Sequence, residues 1–164
     1  MVRKFVSVKS RSYKKANWSH ENKGCNVELS SSLINTLYQG GSIIVPAVTG
    51  QGTRTVGNWS ITVPVASTAA VELFWALVYV PQGTNANNLF ATTGSVEGSL
   101  YEPNQYVLAS GISDNSSGPI RIRSRMLRKL HSGDFISLII GSTSGTAIAG
   151  TVSKALVSYS IKYN

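Results

Sequence analysis

The run Val71-Glu-Leu-Phe-Trp-Ala-Leu-Val-Tyr-Val-Pro81 constrains this chain more than any other stretch. It is the longest apolar run, and it is rich in β-branched and aromatic residues, which suit a pleated surface. A helix would restrict Val71, Phe74, Trp75, Val78, Tyr79 and Val80, and the run stops at Pro81-Gln-Gly83. The expectation is a strand at the centre of a sheet. Only Glu72 interrupts it, so both faces must be largely covered, one by a facing sheet and the other by a further layer or a neighbouring subunit.

Seven further segments read as strands. They begin at Cys25, Ser42, Arg54, Gln105, Ile120, Asp134 and Thr151, and turn residues separate many of them. Within Arg54 to Val65, strict alternation places Val56, Asn58, Ser60 and Thr62 on one face and Trp59, Ile61 and Val63 on the other. Trp59, Phe74, Trp75 and Tyr79 are assigned to the core. Leu33 to Tyr38 is ambiguous, and Gln82 to Asn104 is a long aperiodic stretch of the kind that contacts partners. Lys129 to Gly133 reads as a turn.

Charged residues make up only 13% of the 164, which is one domain's worth of chain and enough to bury a core without disulfides. Uneven loops with no helical crossovers favour two Greek keys in an all-β, eight-stranded antiparallel jelly roll over an immunoglobulin-like sandwich. The division expected is a basic N-terminal arm over residues 1–23 and a jelly-roll domain over 24–164.

The net charge is +8, and its placement is more informative than its size. Residues 1–23 hold Arg3, Lys4, Lys9, Arg11, Lys14, Lys15 and Lys23 against Glu21 alone, a net of +6, which leaves +2 for the other 141 residues. Such a segment is too charged and aperiodic to build a core. It is either a solubilising tail or an arm that neutralises nucleic-acid phosphates, with Tyr13 and Trp18 able to stack on bases or anchor the arm.

A second basic feature is Ile120-Arg-Ile-Arg-Ser-Arg125, whose alternation sends Arg121, Arg123 and Arg125 to one face, extended by Arg128 and Lys129. That face is either solvated, with its arginines paired to acids of neighbouring strands or subunits, or a grip on phosphates, to which arginine presents a planar fork. Tyr101 and Tyr106 bracket a loop that is either a contact surface or pinned to its own domain.

Other chemistries find little to work with. One cysteine, Cys25, excludes an internal disulfide framework, and with only His20 and His131 besides there is no cluster with metal-ligand spacing. Leu130-His-Ser-Gly-Asp134 reads as turn chemistry with no nucleophile elbow, and Glu97 and Glu102 make a weak carboxylate pair. The expectation is a protein without catalytic residues, cofactor or metal. The start Met1-Val-Arg-Lys lacks a secretory signal, and no segment approaches the roughly 20 apolar residues of a membrane span, so the chain reads as intracellular and soluble.

Six blocks resemble the capsid proteins of the circovirus-like group of small circular single-stranded DNA viruses. They are Thr36-Leu-Tyr-Gln-Gly40, Gln51-Gly-Thr-Arg54, Phe74 to Thr84, Leu100-Tyr-Glu-Pro-Asn-Gln105, Gly118-Pro-Ile-Arg121 and Leu130-His-Ser-Gly-Asp134, in order over about residues 36–141. The resemblance implies a jelly-roll coat protein in an icosahedral virion, with its N-terminal arm facing packaged DNA; assembly in the host nucleus is compatible with it. Its partners would be copies of itself and a single-stranded DNA genome bound without sequence specificity, with no membrane. The arm here is shorter and less arginine-rich than is usual in such capsids. Arg3, Lys4, Lys9, Arg11, Lys14 and Lys15 are the candidate genome contacts, seconded by Arg121, Arg123 and Arg125. In a closed shell of about 60 copies, arm charges of +6 sum to roughly 360, short of a kilobase-scale genome, so the arginine strand or small cations would supply the rest. The alternative is a lectin-like or cytokine-like trimer with a solubilising tail.

Overall fold

A computed structural model describes residues 17–29, 40–50, 52–64, 72–84, 106–114, 118–142 and 151–163. Among them are nine strands: β1 (Ser19–Leu29), β2 (Gly40–Val45), β3 (Arg54–Val63), β4 (Glu72–Val80), β5 (Val107–Asp114), β6 (Ile120–Ser124), β7 (Arg128–Leu130), β8 (Phe135–Ser142) and β9 (Thr151–Tyr163). No helix occurs among the described residues, and so none long and apolar enough to cross a membrane. The strands form two antiparallel sheets, β1-β9-β3-β6 with β7 also on β3, and β2-β8-β4-β5. The protein is an all-β sandwich.

The pairing is nested. β1 pairs with β9, β2 with β8, β3 with β6 and β7, and β4 with β5, so the chain runs out and returns along itself. The main core lies between the sheets. Trp59, Ile61 and Val63 of β3 and Val157 and Tyr159 of β9 meet Leu73, Leu77 and Tyr79 of β4 and Ile136, Leu138 and Ile140 of β8. Trp59 and Tyr159 touch ring to ring, with centroids 5.6 Å apart.

The central strand behaves as its composition dictates. Leu73, Leu77 and Tyr79 face the first sheet, while Ala76, Val78 and Val80 form a second buried cluster with Ile139 on the other side. Trp75 packs against the core, and Phe74 is half-buried on the outward side, opposite Ile112 of β5.

Three features differ from the sequence reading, the first two because backbone pairing outweighs side-chain pattern. β1 begins at Ser19, since β9 offers thirteen residues of ladder and residues 19–23 use it despite their polarity. Arg128-Lys-Leu130, expected within or beside a turn, pairs with Val56-Thr-Arg54. In β3 the alternation is broken: Asn58 adopts a left-handed backbone (φ 54°) and inserts as an extra residue opposite β9, so Val56 faces the core with Trp59. The strand count also differs, because β7, formed where a turn was expected, adds a ninth strand among the described residues, lying end to end with β6 along β3.

Candidate nucleic-acid interface

Alternation along β6 sends Ile120 and Ile122 into the core and Arg121 and Arg123 outward, where both are exposed. Their cross-strand neighbours are neutral. Arg121 faces Thr62, which continues to Leu156 and Gly24; Arg123 faces Ser60, which continues to Ser158 and Asn22. The outward side of the first sheet is therefore a row of small polar groups with Leu156, 64% exposed, at its centre.

Further cations share this face. Lys154 stands opposite Asn26, and Lys129 of β7 stands opposite Thr55, itself opposite Lys162. The face spans about 14 Å from β6 to β1 at roughly 4.8 Å per strand. Chain entry into β1 is at the Lys162 end, because Ser19 pairs with Ile161. Lys154 and Lys162 were not singled out in the sequence, although their shared phase in Thr151–Tyr163 was the available signal.

Arg125 does not continue the ladder as a strand residue. With Met126 and Leu127 it forms a three-residue bulge between β6 and β7, opposite Gly57 and Asn58, and is exposed there. The bulge folds tightly over β3: Trp59 Nε1 donates to Met126 O at 3.1 Å, and a Cβ on Gly57 would lie 2.7 Å from that oxygen and collide with Leu127. Only glycine fits at 57 without displacing these neighbours.

Arg128 leaves the cationic face altogether. It shares the inward phase of Val56, and its guanidinium carbon sits 4.1 Å from the centre of the Tyr79 ring. The Tyr79 ring also stacks on Tyr106, with centroids 6.2 Å apart, and Tyr79 N–H donates to Tyr106 O at 2.7 Å. Tyr106 is thus pinned to its own domain; Tyr101 lies outside the described residues, as do Glu97, Glu102 and arm residues Arg3, Lys4, Lys9, Arg11, Lys14 and Lys15. Lys23 and Glu21 belong to β1, so the six cations ahead of them keep a net of +6. Lys23 Nζ lies 5.9 Å from the ring centre of Tyr159.

Asp134 organises the turn before β8. Its carboxylate accepts from Tyr79 O–H at 2.7 Å, His131 N–H at 2.8 Å and Gln82 N–H at 3.1 Å. Burial works to raise its pKa, but these three donors outweigh it and hold the carboxyl below its ordinary value. The same contact acts oppositely on Tyr79, whose pKa rises through burial and then through Asp134, against the opposing charge of Arg128. On the outward face, Asn58 Nδ2 donates to Ser160 Oγ at 3.3 Å, and Ser160 Oγ shares a hydrogen bond with His20 Nδ1 at 3.2 Å, joining three strands at the level of the bulge. Ser160 is buried, and its amide partner orients no base, so the pair is a strand-to-strand link. No group of three or more His, Cys, Asp or Glu among the described residues could hold a metal. No protein-family model matches the chain, and no curated protein matches it.

Proposed function

We propose that this chain is the coat subunit of a small icosahedral, T=1 particle of about 60 copies that packages single-stranded DNA. The observation that carries the reading is the cationic outward face of the first sheet, the sheet into which the basic N-terminal segment leads. Arg121, Arg123 and Lys129 lie along the β6 and β7 edge, Lys162 stands on β9 beside the entry to β1, and Lys154 stands towards the other end of β9, each with a neutral residue directly opposite. A DNA strand gripped by residues 3–15 would cross this face and meet phosphate contacts along it, without base readout.

The fold assigned is a jelly roll. Support comes from the nested pairing, in which β6 and β7 count as one interrupted strand: first with last, second with next to last, and so inward to β4 with β5. Fold alone does not assign function. The resemblance of six ordered blocks to circovirus-like coat proteins adds the shell and its cargo.

Light scattering with negative-stain microscopy tests the proposal. For a 17.5 kDa chain, about 60 copies give a uniform particle of about 1 MDa. A monomer or trimer in every buffer overturns it, as does a closed particle whose first 16 residues are cut by external protease while the shell stays intact.

A further inference from the structure

The first residue of β3, Arg54, carries a charge that no acid among the described residues pairs with. It is 5% exposed, and Nη2 donates only to two neutral acceptors, the carbonyls of Pro46 and of Asp134, the latter at 3.2 Å. Nε is buried and has no acceptor among the described residues. The nearby Asp134 carboxylate is already engaged by Tyr79, His131 and Gln82. A guanidinium removed from water with only carbonyl dipoles for company is unfavourable unless an anion completes its shell.

A cavity of about 190 Å³ lies beside it. Arg54 forms part of the wall with Gly52, Thr53, His131, Ser132 and Tyr163. Two contacts hold that wall in place: Gly133 N–H donates to Val48 O at 3.0 Å, and Ser132 Oγ donates to the same oxygen at 3.3 Å. The cavity thus combines a fixed cation, an imidazole, two hydroxyls beyond the one already committed, and glycine backbone that allows close approach.

We infer that this cavity is a binding site for a phosphate group, taken either as free inorganic phosphate or as a terminal phosphate monoester, with Arg54 as its counter-charge. A tetrahedral oxyanion suits the site because it presents several acceptors to a lining that carries donor side chains from β3, the turn after β7 and the end of β9. The site lies at the end of the sandwich, apart from the Arg121 and Arg123 edge, and stands whether or not the chain forms particles.

The test is a titration of the purified protein with inorganic phosphate, read by thermal unfolding and by ³¹P line broadening against sodium chloride at matched ionic strength. Phosphate raises the melting temperature saturably and beyond the chloride effect. Arg54→Lys, which keeps the charge but loses the fork, weakens phosphate binding ~10-fold. Because that residue is buried and its variant can misfold, His131→Ala and Tyr163→Phe at the cavity wall provide the second arm, and both weaken the response. Arg121→Ala retains it. Competition by a 5′-phosphorylated dinucleotide but not by its unphosphorylated form assigns the site to terminal phosphates, and competition by neither assigns it to the free ion. A response no larger than that of chloride overturns the site, as does one that disappears in Arg121→Ala and persists in His131→Ala.

Discussion

The Tyr79 hydroxyl donates to Asp134 Oδ2 across 2.7 Å, tying the end of β4 to the turn that launches β8. Two further donors, the N–H groups of His131 and Gln82, converge on the same buried carboxylate. Asp134→Asn leaves the shape but removes the charge and presents an amide where an acceptor was needed. It should destabilise the fold by about 1.5–3 kcal/mol, read as a shift in denaturant midpoint.

That clamp also sets an acid limit. The folded pKa of Asp134 lies below its ordinary value, so its contribution is complete above the unfolded pKa, roughly 4, and is lost as pH falls through the folded value. Stability measured from about pH 5 to 2 should fall less steeply in Asp134→Asn than in the parent. Equal slopes would show that other carboxylates govern acid unfolding.

Gly57 is required by packing. An added Cβ meets Leu127 and the carbonyl of Met126, and backbone on that side cannot yield without opening the bulge. Gly57→Ala should cost about 1–3 kcal/mol. Gly24→Ala, where the nearest atom would be 3.9 Å away, is the control and should change stability little.

The Cys25 thiol is half-buried, and burial pushes its pKa up against a smaller opposing effect of Lys23. Alkylation by iodoacetamide should therefore have its pH midpoint above that of a free cysteine, about 8.5. A midpoint at or below that value would mean that β1 opens readily from β9.

Arg121→Ala with Arg123→Ala removes two outward cations and leaves the core untouched. On the proposed function, affinity for single-stranded DNA should fall equally for all sequences. The slope of log affinity against log salt should flatten by roughly 0.7 for each phosphate that the protein no longer neutralises. An unchanged slope would assign DNA binding to the arm alone.

Legibility in the sequence followed burial. The central strand was readable because both its faces are covered and its composition leaves no other use for it. The outward phase of Arg121 and Arg123 was readable because isoleucines alternate with them. The phase of β3 was not, since Asn58 inserts one residue into an otherwise regular pattern, and a left-handed asparagine leaves no mark on hydrophobic periodicity. β7 is three residues of which two are cationic, and only its place beside β3 makes it a strand. Arg54 was hardest: alternation gives the side of a strand but cannot reveal that a charged residue at its end is enclosed. Nested strand pairing depends on contacts far apart in sequence, which local pattern does not encode.

Asn58 has one more effect. On one side of β3 its extra residue faces a single position of β9, and on the other the same level meets the loop of Arg125 to Leu127. A slide of β3 by two residues would keep its pleat in phase with either neighbour, and a uniform ladder would tolerate that error. Here it would carry the left-handed asparagine into a paired position and drive Gly57 out from under Met126, so the irregularity acts as a locating pin that admits one alignment of the sheet.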